Sequence, residues 1–439
     1  MAPSSENDVD GNDAVSSNLP TEETTVTNLQ RLNLSTTETL TSPSPSSSSA
    51  IPGDPLHSPP LPTLPIEIIA EILSRLPIKF LIQLQSVCKP WKSLISDPKF
   101  AKKHFRLSTT RHHLVLTHTN PSREYVLTDY LLSSVFTAAI QLDCLLPFRE
   151  HIIASVGSCH GIICFVLDQN YQNLALLWNP SIRKFMKLPS SFDNPTQEVG
   201  LCYTNFGFGY VYDHFNDNYS YKVVAVNHYD EYDSDVIDGS DFHVITRTQV
   251  KVYTLGTSSW RIIQDCPYGI LYGDSVTFVS GTVNWWVTND SNISEVIVSL
   301  DLDKESYQEI MQPNYGVGIE VTRTLGVLRD CLSTVARSDT FSDVWLMKEY
   351  GNKESWTKLF RIPHSCIEDL EFLNYLNPLY LSEDDQVLLD CRYEGRTCHD
   401  ELAIYNSRDN TFKTTEIQNI NFSTIHGIYQ ESLLSPCSL

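Results

Sequence analysis

Apolar positions along the chain change their period once. Between residues 61 and 107 they recur at helical spacing. Ile68, Ile69, Ile72, Leu73 and Leu76 fall on one side of a turn pattern, with Glu67, Glu71 and Arg75 on the other. Pro65 suits a first helical turn, where a missing N–H costs nothing, and Pro77 ends the run. Leu81, Ile82 and Leu84 mark a second short helix. Val87, Cys88, Trp91, Leu94 and Ile95 mark a third, which Pro90 is expected to kink. Asp97-Pro98 opens a last helical stretch containing Phe100 and Phe105. Three to four short helices in so few residues make a small domain of marginal stability, which favours support from a partner.

After about residue 112 the helical period gives way to short alternating runs: HLVLTH, YKVVAVNHY, VKVYTL, VIVSLDL, DVWLMK and ELAIYN. They fall into a repeated unit of apolar strand, polar turn, and strand opened by an aromatic. The unit reads LLWNPSIRKFMKLP, VYTLGTSSWRII, VSLDLDKESYQEI, VWLMKEYGNKESWTKLF and IYNSRDNTFKTTEI. Its aromatics are Phe185, Trp260, Tyr307, Trp356 and Phe412, at intervals of 75, 47, 49 and 56 residues. An acidic insertion near 229–241 lengthens the first interval. A period near 50 residues with four strands each is the signature of a β-propeller, because one such sheet cannot bury both faces alone. A β-sandwich is the alternative architecture. The region around His426–Gln430 is expected to pair with strands before residue 130, which would close the ring and remove its edges. The expected organisation is α+β multidomain: a tail at 1–60, a helical domain at 61–107, a connecting segment at 108–150 and the all-β domain at 151–432.

Residues 1–60 are rich in Ser, Thr and Pro and contain no aromatic residue, so they are expected to be disordered. The chain carries a formal charge of −22, which argues against nucleic-acid binding. The helical stretch is nevertheless basic, with Lys89, Lys92, Lys99, Lys102 and Lys103 able to steer an acidic partner. Eleven scattered cysteines without a C-x-x-C pair argue against a disulfide framework or a zinc module. The acidic start is no secretory signal. The longest apolar stretch, Tyr130 to Leu146, is interrupted by Gln141 and Asp143 and is too short to span a bilayer.

Three groups imitate chemistry. Gly157-Ser158-Cys159-His160-Gly161 resembles a nucleophile elbow, but a strand follows where a helix is required, so a hairpin corner is expected. Asp233, Asp235, Asp238 and Asp241 are out of register for an EF-hand. Cys391, Cys398 and His399 have no evident fourth ligand. No catalytic residue, metal or cofactor is expected.

The segment LPTLPIEIIAEILSRLPIKFLIQLQSVCKPWKSLISDPKFAKKHF resembles an F-box. The matching elements are Leu64-Pro65, Glu67 to Leu73, Arg75-Leu76-Pro77, Leu81 to Leu84, Val87-Cys88-Lys89 with Trp91, and Asp97-Pro98 with Phe100. Phe80, Gln83 and Gln85 depart from the usual pattern. The β region is similar to the plant F-box-associated domain in GSCHGIICF, LLWNPSIRKFMKLP, FGFGY, YKVV, VKVYTL with SSWR, VSGTVNWW, IVSLDLDKES and the LGVL start at Leu325. The resemblance implies a non-catalytic substrate receptor of a Skp–cullin–F-box ubiquitin ligase, working in the cytoplasm or nucleus. Its partners would be a Skp-type adaptor, a cullin through it, and a protein target, with neither nucleic acid nor membrane involved. By the motif match, Leu64, Pro65, Ile68, Ile72, Leu76, Pro77, Leu81, Val87 and Trp91 would meet the adaptor. Target contacts are expected in the loops His214–Ser220, Asp230–Asp241, Thr288–Ser294, Gln312–Ile319, His364–Phe372 and Glu394–Asp400. The competing readings are a non-degradative interaction scaffold and an enzymatic propeller, which would need a carboxylate pair in a deep axial pocket.

Overall fold

The computed structural model describes residues 64–107, 112–119, 125–136, 141–143, 151–169, 172–191, 201–232, 244–268, 270–289, 294–316, 320–367, 370–393, 399–415 and 425–438. The tail at 1–60 lies outside them, as do Asp233, Asp235, Asp238, Asp241 and Cys398.

The first described stretch forms helices α1 (Ile66–Leu73), α2 (Ile78–Leu84), α3 (Lys89–Ile95) and α4 (Pro98–Leu107). Pro65 and Pro77 stand immediately before α1 and α2, and their carbonyls accept the first helical N–H groups. Pro90 does not kink α3. It lies in the first turn, where its N–H would have had no helical partner, and Cys88 is the cap. Inward-facing Leu73, Ile78, Leu81, Ile95, Phe100 and Ala101 make the small helical core. His104 of α4 ties to the carbonyl of Leu76 (2.8 Å) and fixes the last helix against the α1–α2 corner.

Among the described residues twenty-four strands follow in six antiparallel four-stranded sheets, the blades of a propeller. β1 (His112–Thr119), β2 (Tyr125–Leu131) and β3 (Gln141–Asp143) come first in the chain but belong to the last blade. Blade one is β4 (His151–Cys159), β5 (Ile162–Gln169), β6 (Gln172–Asn179) and β7 (Lys184–Lys187). Blade two is β8 (Leu201–Asp213), β9 (Asn218–Tyr232), β10 (Val244–Thr254) and β11 (Arg261–Ile262). Blade three is β12 (Ile270–Val279), β13 (Thr282–Asn289), β14 (Ser294–Asp301) and β15 (Ser306–Ile310). Blade four is β16 (Glu320–Leu328), β17 (Cys331–Arg337), β18 (Phe341–Met347) and β19 (Trp356–Pro363). Blade five is β20 (Leu373–Leu381), β21 (Gln386–Tyr393), β22 (His399–Asn406) and β23 (Thr411–Thr414). The inner strand of blade six is β24 (Ile425–Gln430), which pairs antiparallel with β1 from His112↔Gln430 to Thr117↔Ile425. Residues 112–143, read from the sequence as part of a connecting segment, therefore supply three strands of the closing blade.

The core lies between blades. In β5, Ile162, Cys164 and Val166 face blade two, while Ile163, Phe165 and Leu167 face blade six. In β1, Val115 joins blade one and its neighbours Leu114 and Leu116 join blade five. Period-two alternation thus gives each sheet two apolar faces, and strands buried on both faces read as continuous runs such as IICFVL. The FGFGY motif serves the same packing. Phe206 and Phe208 fill one interface, while a Cβ on Gly209 would collide with the Phe278 ring of blade three.

The repeated aromatics latch the blades together. The Trp260 indole donates to the Pro189 carbonyl beyond the outer strand of blade one (2.8 Å). Tyr307 donates to Gln264 of blade two (2.8 Å), and Trp356 to Met311 of blade three (2.9 Å). Phe412 has no donor, and Tyr405 beside it reaches the Arg361 carbonyl of blade four instead (2.7 Å).

The ring seam carries a buried charge cluster. His113 of β1 lies 3.1 Å from Asp129 of β2 and 3.3 Å from Glu431, just after β24. Burial alone would lower the imidazole pKa, but the hydrogen bonds and charges of Asp129 and Glu431 outweigh it and raise it to about 9. Beyond the seam, Asn179 of the WNP motif donates to the carbonyls of Ser432 (2.9 Å) and Leu434 (2.7 Å) and pins the tail to blade one.

The folded His113 value exceeds the ordinary 6.5, so this contribution is complete below about pH 6.5 and is lost as pH rises through about 9. Denaturant unfolding of the full chain is expected to lose up to about 3 kcal/mol across that window. His113→Gln should flatten the slope; equal slopes for both chains would refute the assignment.

Candidate docking surfaces

The helical domain turns part of its apolar complement outward. Leu64 (58% exposed), Ile68 (48%), Ile72 (50%) and Val87 (61%) are open to solvent, and so is Pro65. Leu76, Pro77 and Trp91 are half-buried, Leu76 and Trp91 against the helical core. Leu81 is a correction to the motif-based assignment. It has no exposed surface, because Ile78 and Leu81 stand three residues apart on the inward face of α2. Ile66, Phe80 and Ile82, which the sequence reading left out of the adaptor contacts while noting Phe80 as a departure from the family pattern, are exposed. Placing Ile78 and Leu81 inward turns Phe80 away, while Ile82, one turn from Ile78, lies at the edge of the inward face.

Two of the five steering lysines are occupied within the chain. Lys103 pairs with Glu71 of α1 (2.7 Å), which also holds Arg75 (2.8 Å), and Lys102 bonds to Asn218. The Lys103 and Arg75 hydrogen bonds lower the Glu71 pKa. Lys89, Lys92 and Lys99 are exposed.

Helix α4 meets the propeller at the hairpin corners of blades one and two. Arg106 donates to both oxygens of Asp217 (2.6 and 3.4 Å), and its guanidinium lies 6.0 Å from the Tyr219 ring. The hydrogen bond from Arg106, then that from Tyr212, pull the Asp217 pKa to about 2, so the pair stays ionised at physiological pH. Phe105 packs edge-on against His160 (5.1 Å). His160 occupies a two-residue turn with Gly161, both at positive φ, the backbone that a tight hairpin requires. Its ring is enclosed by Tyr210 and Tyr219, and Nδ1 pairs with the Tyr221 hydroxyl (2.8 Å). Burial, then the charges of Arg106 and Lys102, push its pKa down to about 4. Cys159 points into the core, where burial pushes the thiol far above its ordinary value. The apparent nucleophile motif is thus a packed hairpin corner with an inert thiol.

Antiparallel blades sort their connections by end. Links from first to second strand and from third to fourth lie at one end, and this is where α4 docks. Links from second to third strand, and from one blade to the next, lie at the other. The candidate loops at 230–241, 288–294, 312–319, 364–372 and 394–400 all connect strand ends of this second kind, although parts of each lie outside the described residues. The loop His214–Ser220 does not join them. It is the β8–β9 corner and touches α4.

Among the described residues no three His, Cys, Asp or Glu side chains converge as a metal site, and no helix is long and apolar enough to cross a membrane.

Comparison with known proteins agrees with this architecture. Residues 61–103 match the F-box domain family, and residues 115–436 match the F-box associated beta propeller domain. The F-box/kelch-repeat protein At3g23880 of Arabidopsis thaliana is 32% identical over 389 residues, covering 86% of this chain and 96% of the relative. The F-box protein CPR1 of the same plant is 30% identical over 346 residues, covering 74% and 79% respectively. The chain therefore belongs to the F-box proteins with an F-box-associated β-propeller, a family of substrate receptors.

Proposed function

We propose that this chain is the substrate-receptor subunit of a Skp–cullin–F-box ubiquitin ligase, in the cytoplasm, the nucleus or both. The observation that carries the reading is the apolar surface left open on a domain otherwise able to form its own core. Leu64, Pro65, Ile68, Ile72 and Val87 would seat in a groove of a Skp-type adaptor, with Ile66, Phe80 and Ile82 adding to the face and Leu76, Pro77 and Trp91 at its base. The adaptor in turn bridges to a cullin.

The receptor performs no bond chemistry. It holds a target so that a lysine meets the ubiquitin-charged enzyme at high effective concentration. The target would bind at the propeller end opposite α4, where five of the six candidate loops connect. That placement keeps the target and the adaptor from competing for one surface.

Ile68→Asp with Ile72→Asp is expected to weaken adaptor binding at least about 30-fold without lowering the unfolding temperature, since both side chains are exposed. Leu81→Ala should behave oppositely, costing about 2–5 kcal/mol of stability through the cavity it leaves. Calorimetry with purified adaptor checks both; a double variant that binds like wild type would sink the proposed contact face. In cells, deleting residues 61–107 should lengthen the half-life of captured targets, whereas a non-degradative scaffold would leave it unchanged.

A further inference from the structure

Phe215 is the most exposed of the described large apolar side chains, at 100%. It does not sit on a loose loop. The β8–β9 register ends at Asp213↔Asn218, so His214 to Asp217 form a short tip. Asp213 accepts the backbone N–H groups of Phe215 (2.9 Å) and Asn216 (3.3 Å), and the Asn216 amide (2.6 Å). Tyr212 donates to Asp217 from below. The two residues at the end of the tip, Asp217 and Asn218, are those held by Arg106 and Lys102 of α4. The mount is therefore fixed, and its apolar load is presented to solvent.

The elements that hold the mount point to its occupant. Arg106 and Lys103 stand one turn apart on α4. Lys103 grips Glu71 of α1, which stands one turn along from exposed Ile68 and flanks the open apolar stripe. Two ion pairs, joined through one turn of α4, thus tie the Phe215 tip to the helix that carries Ile68 and Ile72. The tip also lies at the propeller end away from the proposed target loops. A preset aromatic anchor loses little freedom on binding.

We infer that Phe215 is a second contact for the Skp-type adaptor, made by the propeller at the margin of the F-box face. This rests on the receptor reading above and extends it: the β-domain takes part in holding the adaptor as well as the target.

Calorimetry of the full chain with purified Skp-type adaptor tests it. Phe215→Ser is expected to weaken binding about 5- to 30-fold with an unchanged unfolding temperature, and Phe215→Trp to retain affinity. Affinity within twofold of wild type for Phe215→Ser overturns the inference while leaving the receptor reading intact. A wild-type chain that binds no adaptor overturns the receptor reading, and this inference with it. A concentration-dependent dimer that Phe215→Ser dissolves, with adaptor affinity unchanged, assigns the tip to self-association and overturns it too.

Discussion

A ring of sheets depends on its last pairing. Until β24 joins β1, blade six lacks its inner strand, and the apolar faces of blades one and five that pack against it have no cover. The pairing joins strands separated by about three hundred residues of chain, so its closure entropy is large. The seam is reinforced accordingly. His113, Asp129 and Glu431 form a buried charge cluster across it, and Asn179 holds the segment that follows. Removing one member of such a cluster strands the others in a low-dielectric setting.

Four joints between neighbouring blades use a simpler repeated device. An aromatic at the start of an outer strand covers the interface and, where it is Trp or Tyr, bonds to a carbonyl of the preceding blade. Trp260, Tyr307 and Trp356 do this with nearly the same geometry. Each latch contributes modestly, because Pro189, Gln264 and Met311 are exposed and water can serve their carbonyls in its place. At blade five the bond comes from a different side chain: Phe412 cannot donate, and Tyr405 does.

Much of this was legible in the sequence because the repeat is physical. Helical spacing in the F-box, alternation after residue 112, the aromatic period and the pairing of His426–Gln430 with early strands all follow from faces that must be buried. What was not legible depends on which face a short helix turns inward. Leu81 belongs to the family pattern and to the core at once, and no periodicity in seven residues separates Leu81 from Ile82. Pro90 was read as a kink because the start of α3 could not be located from spacing alone. The run HLVLTH of β1 was read as a strand, whereas β2 and β3 went unread because they lack the turn-and-aromatic unit. The role of Asp217 required knowing that a helix a hundred residues earlier would dock beside it.

The sorting of connections by end has a consequence for how such receptors diversify. Insertions at one rim lengthen loops without disturbing blade registers, aromatic latches or the helical docking site at the opposite rim. With the target placed at that rim as proposed, specificity for new cargo can drift under selection while the coupling to the shared machinery stays constant. A single scaffold of this kind is suited to expansion into many paralogues, each altered at one pole only.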